Sequence, residues 1–360
     1  MTTAFDPIDL AGTRLANRIA LAPMTRSRAH REGNTPTAST ATYYAQRAGA
    51  GLLITEGVQP SVVGQGYPDT PGLHTEAQVA AWREVTDAVH AEGGVIFAQL
   101  MHSGRIGHPS LLPGDLTPVA PSPVAADGLA YLHDGPHPYP VPHELTGDEI
   151  RATIDDFVSA ARNAVAAGFD GVELHGANGY LIHQFIAPGT NRRTDEWGGS
   201  VENRIRFAVE VTTAVAAAIG AERTAIRLSP GNAYNDMDDS GYEETYPALV
   251  AALEPLGLAY LHVLENLPGL RDLTQSLRKQ FSGVFVLNAW TGDGTTGPEE
   301  LALIEDGTAD LVSFGALFLA NPDLPARLRA GGPFNTPDAA TFFGGGDQGY
   351  TDYPALTTTA

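Results

Sequence analysis

His175, Asn178 and Tyr180 lie within six positions of one another in Gly171-Val-Glu-Leu-His-Gly-Ala-Asn-Gly-Tyr-Leu-Ile-His-Gln-Phe185, where a hydrophobic run gives way to polar residues. An imidazole and a carboxamide together can grip one carbonyl oxygen, and a phenol two residues further on can deliver a proton. Such a set polarises a conjugated alkene and protonates it. Reduction of an activated double bond is the chemistry this spacing points to. Each residue alone would suit a satisfied core position equally well, so the weight of the cluster comes from its place in the chain.

The elements that must position these residues form a regular rhythm. Short aliphatic runs alternate with longer segments of helical period, the pattern of repeated βα units around a parallel sheet. The predicted strands are Ile19 to Pro23, Leu52 to Val58, Val95 to Leu100, Gly171 to His175, Thr224 to Ser229, Tyr260 to Val263, Gly283 to Leu287 and Asp310 to Phe314. Between them, Thr75 to Glu92 sets Val79, Trp82, Val85, Thr86 and Val89 on one helical face. Glu149 to Ala167 does the same with Ile154, Phe157, Val158, Ala161 and Val165, and Ser200 is an N-cap for a helix reaching Ile219. Eight units predict an α/β fold of the (β/α)₈ TIM barrel type, as a single domain over 1–360. A doubly wound open sheet is the alternative. Nine prolines between Gly104 and Thr146 predict an irregular capping excursion after strand three. The stretch from Gly331 onwards reads as a loop returning over the barrel.

In such a barrel the active site lies at the carboxyl ends of the strands. Collected there are Pro23-Met24-Thr25, Thr55-Glu56-Gly57, Gln99-Leu100-Met101-His102, His175 with Asn178, and Arg227-Leu228-Ser229. Arg227 sits inside the apolar run Ala-Ile-Arg-Leu and needs a buried anion, either Glu56 or Glu173 of this chain or a bound group. The loops after strands seven and eight are the usual phosphate cradle of these barrels, so backbone N–H groups around Asn288, Ala289, Gly315 and Ala316 are candidates for holding a phosphate. Gly292-Asp-Gly-Thr-Thr-Gly297 matches G-x-G-x-x-G, but it comes late in the chain and Asp293 would repel a pyrophosphate. A plain glycine-rich turn is the better reading.

Composition narrows the partners. A net charge of −21 repels nucleic acid and anionic lipid. The absence of cysteine excludes disulfides, iron-sulfur clusters, thiolate zinc sites and cysteine nucleophiles. His133, His137 and His143 lack metal-ligand spacing, so no metal is expected. Met-Thr-Thr-Ala-Phe-Asp is not a signal sequence, and no segment approaches the ~18 apolar residues of a membrane span. A cytoplasmic monomer or homodimer acting on a small molecule is the expectation.

The chain resembles the old yellow enzyme family of flavin-dependent ene-reductases nearly end to end. The resemblance is carried by Leu-Ala-Asn-Arg-Ile-Ala-Leu-Ala-Pro-Met-Thr-Arg-Ser-Arg (15–28), Ala-Gln-Leu-Met-His-Ser-Gly-Arg (98–105), Pro-Val-Ala-Pro-Ser (118–122) and the block from Phe169 to Phe185. Asn-Arg-Arg-Thr-Asp-Glu-Trp-Gly-Gly-Ser (191–200), Ala-Asn-Pro-Asp-Leu (320–324) and Gly-Tyr-Thr-Asp-Tyr-Pro (349–354) complete it. The family implies a barrel with non-covalent FMN, reduced by NAD(P)H entering the same pocket in a ping-pong cycle. By resemblance, Pro23, Met24 and Thr25 line the flavin, Gly57 allows close approach of its ring, and Gln99 and Arg227 bond its pyrimidine side. His175 and Asn178 bind the oxygen of an enone-type substrate, hydride passes from flavin N5 to the β-carbon, and Tyr180 protonates the α-carbon. Tyr67, Met101 and Tyr350 shape the substrate pocket.

Two departures stand out. Many members have tryptophan where this chain has Met101, and the usual Phe-Gly-Arg after strand eight is Phe314-Gly315-Ala316, without the arginine that contacts the FMN phosphate. Weakened FMN binding is the expected consequence, and it keeps open a paralogue that binds or isomerises its ligand. The larger iron-sulfur relatives of the family are set aside by the lack of cysteine. A Schiff-base aldolase needs a lysine at a strand end, but Lys279, the only lysine, falls in the predicted outer helical segment Leu270 to Phe281.

Overall fold

The computed structural model describes residues 2–292 and 295–356. Eight parallel strands close into a barrel: β1 (Ile19–Leu21), β2 (Leu52–Val58), β3 (Ile96–Leu100), β4 (Gly171–Gly176), β5 (Thr224–Leu228), β6 (Tyr260–Leu264), β7 (Val284–Asn288) and β8 (Leu311–Phe314). The seam closes where Phe314 pairs with Leu21. This is the predicted TIM barrel, with strand ends moved by one or two residues.

The period of two along each strand decides what lies inside. Leu53, Ile96, Leu100, Val172, Leu174, Ile226, Leu228, Leu261, Val263, Leu287 and Val312 belong to the core shared with the helices outside. The alternate residues Ile54, Phe97, Ala225, Tyr260, Val286 and Leu311 form a second core within the barrel. A short antiparallel hairpin, Ile8–Leu10 with Thr13–Leu15, packs Leu10 and Leu15 into that inner core from the amino ends of the strands. Gly171 is a glycine for a packing reason: a Cβ there would stand 2.4 Å from the Phe97 ring. The apolar filling ends at one level, and above it the same inward positions turn polar.

Helices α1 (Ala38–Ala45), α2 (Glu76–Ala91) and α3 (Gly147–Ala166) each begin with a threonine cap, Thr37, Thr75 and Thr146, whose side chain accepts a backbone N–H. The short α4 (Leu181–Ile186) follows β4 directly, and α5 (Val201–Ile219) is capped by Ser200 as expected. Further round are α6 (Tyr242–Leu253) and α7 (Arg271–Gln280), which carries Lys279 exposed on the outer ring. That placement removes the aldolase reading. A single turn, α8 (Ala302–Glu305), precedes β8, and α9 (Ala316–Ala320) follows it.

The excursion after β3 is more regular than its prolines suggest. Leu129–Leu132 and Gly135–Pro138 form an antiparallel hairpin, and Val119–Ala120 pairs in parallel with His143–Glu144. Proline is tolerated because each ribbon has only two strands, so a residue without an N–H can face away from its partner. Buried Arg105 fastens the excursion, donating to the carbonyls of Val124 and Ala125 within it and of Asn235 in the loop after β5. The C-terminal stretch returns over the barrel mouth and is held by arginines. Arg26 donates to the carbonyls of Phe342 and Gly349, and Arg28 to those of Gly346 and Thr341.

Candidate active site

Four inward positions make a polar layer across the barrel. Gln99 Nε2 donates to Glu173 Oε1 at 2.8 Å, Glu173 Oε2 lies 2.8 Å from His262 Nδ1, and His262 Nε2 lies 3.0 Å from Ser313 Oγ. Gln99 and Glu173 pair in register, while His262 and Ser313 each sit two residues further along their own strands, and the stagger of the closed barrel brings the four inward side chains into one row. His262 and Ser313 were not expected at the site. The signal available was a polar residue at the inward position of an otherwise apolar strand.

Above this layer, Arg227 pairs in register with His175 on one side and His262 on the other. The guanidinium is buried and donates to Asn288 Oδ1 at 3.1 Å, while its Nε has no partner. Neither Glu56 nor Glu173 lies within ion-pair distance of it among the described residues, although the Glu173 charge acts on it from below. Burial, the dominant influence, pulls its pKa down. Of the two anions considered for Arg227, the internal one therefore forms no salt bridge among the described residues. A buried cation with an unused donor is a receptor for an anionic or carbonyl-bearing group.

His175 is buried and its Nδ1 accepts the Ala177 N–H at 3.3 Å. Burial first, then the charges of Arg227, His183 and His262, hold its pKa well below the usual histidine value. The ring is therefore neutral with its proton on Nε2, a donor. Asn178 adopts a left-handed backbone, φ +56°, fixed by its N–H to Ser229 Oγ at 2.9 Å and its carbonyl from Asn235 Nδ2 at 2.8 Å. Its side-chain oxygen accepts Asn232 Nδ2 at 2.8 Å, which leaves the amide N–H₂ as its other face. Asn232 and Asn235 are thus site residues that sequence reasoning missed. Two neutral donors, His175 Nε2–H and Asn178 Nδ2–H, come from one turn.

Tyr180 follows at the N-cap of α4, with its ring edge-on to His175 at 4.8 Å between centroids. Its hydroxyl lies 2.9 Å from that of Tyr67, in a cluster with Met101, Ile106 and Ala126. Burial raises its pKa far above the usual tyrosine value, so it stays protonated and can act as an acid. Met101 lies over Gly57, where a Cβ would meet its Sδ at 2.5 Å. The room that Gly57 was expected to leave for a cofactor ring is taken by a thin, flexible thioether, which can move aside.

Pro23, Met24 and Thr25 are partly exposed between the buried end of β1 and buried Arg26, as residues lining a mouth would be. Gly315 and Ala316 are also partly exposed, whereas Ala289 is buried. The Asn288 side chain is engaged by Arg227, Thr296 and Ser313. Of the glycine-rich turn, Asp293 and Gly294 lie outside the described residues.

Tyr350 was expected to shape the substrate pocket. It has no exposed surface, stacks on Tyr43 at 4.4 Å, and lies under the Arg26 and Arg28 guanidiniums. The sequence Gly-Tyr-Thr-Asp-Tyr-Pro places this tyrosine in an aromatic-arginine knot that pins the C-terminal strap.

Among the described residues no group of three or more histidine, aspartate or glutamate side chains could hold a metal, and no helix is long and apolar enough to cross a membrane. Residues 3–335 match the sequence model of the NADH:flavin oxidoreductase / NADH oxidase family. The chain belongs to that family. It is 42% identical over 357 residues to a probable flavin mononucleotide-dependent alkene reductase of Leishmania infantum, covering 97% of this chain and 96% of that protein. It is 43% identical over 360 residues to 12-oxophytodienoate reductase 1 of Oryza sativa subsp. japonica, covering 97% and 92%. Among solved structures, morphinone reductase superposes with a TM-score of 0.93 at 42% identity, covering 99% of this chain and 97% of the other. An old yellow enzyme homologue from Zymomonas mobilis gives 0.93 at 43%, covering 99% and 100%. The resemblance to old yellow enzymes is borne out.

Proposed function

We propose that this oxidoreductase is an FMN-dependent ene-reductase that reduces the C=C bond of α,β-unsaturated carbonyls and nitroalkenes, with NAD(P)H as reductant in a ping-pong cycle. The observation that carries it is the pair of donors, His175 Nε2–H and Asn178 Nδ2–H, set beside a protonated Tyr180.

The residues present fit the cofactor. The unused Arg227 donor suits the electron-rich edge of a flavin, and the Gln99 carbonyl, its amide nitrogen committed to Glu173, suits an imide N–H. Pro23, Met24, Thr25 and Gly57 would line the ring, with Asn288, Ala289, Gly315 and Ala316 near the phosphate. Bound FMN supplies the two-electron chemistry, accepting hydride from NAD(P)H and delivering it to the β-carbon.

His175 and Asn178 do the polarising. They bind the carbonyl or nitro oxygen and stabilise the negative charge that grows on it as the β-carbon is attacked. A neutral imidazole suits this role because it donates without adding a buried charge. Tyr180 then protonates the α-carbon. Met101, where many relatives carry a bulkier tryptophan, leaves a wider pocket beside Tyr67.

The test is a visible spectrum of purified protein given FMN, then anaerobic reduction with NADH or NADPH and reoxidation with cyclohexenone, maleimide or a nitroalkene. Enone-dependent reoxidation supports the proposal, and protein that remains colourless refutes it. Ala316 favours a second reading, a paralogue that binds or isomerises its ligand, which a flavin that is bound but never reoxidised by any enone would support.

A further inference from the structure

Tyr67 and Tyr180 come from the loops after β2 and β4, and their phenolic oxygens lie 2.9 Å apart with the rings edge to face at 6.3 Å. Tyr67 is held by its own loop. Gln65 Nε2 and Thr70 Oγ1 donate to its backbone carbonyl at 3.1 and 3.0 Å, and Asn34 Nδ2 fixes Gln65 at 2.9 Å. An acid that gives up a proton in each cycle must regain one. Tyr180 is badly placed to take it from water: it is 7% exposed, and a substrate on the clamp covers it further. Tyr67 is partly exposed beside it.

We propose that Tyr67 is a positioning residue that aims the Tyr180 proton at the substrate and then restores it from the solvent side. The inference rests on the ene-reductase reading and adds the proton's route to it. A hydroxyl has one proton to give. When Tyr67 donates to the Tyr180 oxygen, the Tyr180 proton is left for the substrate, whereas the opposite arrangement would engage it with Tyr67. Burial is the largest influence on both phenols and raises both pKa values, so both are protonated before the substrate is attacked.

The steps balance without any redox change. The Tyr180 O–H bond breaks as a C–H bond forms at the α-carbon, leaving a phenolate. That oxygen takes the Tyr67 hydroxyl proton, and Tyr67 regains one from water or a buffer acid in the cleft.

Tyr67→Phe keeps the ring and removes the hydroxyl. FMN-loaded protein, reduced anaerobically, is mixed with cyclohexenone and excess NAD(P)H and followed through the first and later turnovers. The expected result is a first turnover only a few-fold slower, from the lost aim, then a kcat at least about tenfold below wild type with KM within about twofold. In parallel, ¹³Cζ-tyrosine NMR of the protein, with the Tyr180 resonance assigned by its loss in Tyr180→Phe, should show that resonance displaced in Tyr67→Phe. An unchanged kcat, a first turnover slowed as much as later ones, or an unmoved Tyr180 resonance would overturn the relay alone. Wild-type reduced protein that no enone reoxidises would instead overturn the ene-reductase reading, and the relay with it.

Discussion

Gly179 donates its backbone N–H to His183 Nδ1 at 2.9 Å, tying the turn that bears Asn178 and Tyr180 to a histidine outside the site. The other face of that ring, Nε2, lies 3.1 Å from the Tyr246 hydroxyl and 3.3 Å from Asp239 Oδ2, and Tyr246 also donates to Asp239 at 3.0 Å. All three side chains are buried. His183→Ala strands the Gly179 N–H and removes a partner of the other two. It should cost about 1 to 3 kcal/mol in urea unfolding and lower enone turnover. His183→Asn, whose Oδ1 can stand in for Nδ1, should lose less of both. Equal stability of the alanine variant and wild type would show that the tie is idle.

Tyr180→Phe separates the two halves of the cycle. The hydroxyl is the only group it removes, so reduction of bound FMN by NAD(P)H should persist, while reoxidation by cyclohexenone should slow about 100-fold or more. Anaerobic stopped-flow absorbance reads both halves on one sample. Loss of both in parallel would mean that Tyr180 acts through packing.

Arg227 should help the cofactor at the expense of the bare protein. Its guanidinium is buried with an unused Nε and no ion pair within reach among the described residues. Removing such a charge relieves desolvation that nothing in the ligand-free protein fully offsets. Arg227→Met should therefore melt no lower than wild type without FMN, yet bind FMN about ten- to hundred-fold more weakly through loss of a charge-assisted bond. Calorimetry with and without FMN tests both halves. A large drop in the ligand-free melting temperature would show that Glu173 and Asn288 already satisfy the arginine.

The barrel was legible because its signal is local: eight aliphatic runs spaced by helical periods leave little choice of architecture. The donors His175, Asn178 and Tyr180 were legible because one turn carries them all. The polar layer was not. Gln99, Glu173, His262 and Ser313 meet only through strand register, which hydrophobic pattern alone does not specify between distant strands. The packing of Tyr350 was illegible for a related reason. A tyrosine beside glycine near the chain end suits a pocket or a knot equally, and the choice depends on Arg26 and Arg28, more than three hundred positions earlier.

Glu56 should leave a mark on the pH dependence of stability. Burial pushes its pKa from 4.5 up to about 7, although the Arg26 N–H and the charges of Arg26 and Arg28 pull the other way. Folding favours its protonated form, so between pH 4.5 and about 7 the folded chain holds more protons than the unfolded one. Stability falls as pH rises through that window and then levels. The full shift corresponds to about 3 kcal/mol at most. Glu56→Gln cannot titrate, so relative to wild type it should gain stability between pH 5 and 8. Thermal melts at the two pH values check this, and parallel profiles for the two proteins would rule it out.

On the proposed reading, Ala316 is the position at which the hold on the FMN phosphate can be strengthened. It opens α9 directly after Gly315, and its N–H, like that of Leu317, falls in the first turn, where a helix offers no acceptor. Those groups can bond a phosphate but add no full charge. Ala316 is partly exposed, so a long side chain there can reach out from the mouth without displacing the core. Ala316→Arg should tighten FMN by about ten- to hundred-fold, the worth of one charge-assisted bond. Fluorescence titration of FMN and of riboflavin, which lacks the phosphate, distinguishes the cause. The gain should appear for FMN alone and shrink at high salt. An equal gain for riboflavin would place the arginine against the ring system and leave the phosphate held by backbone alone.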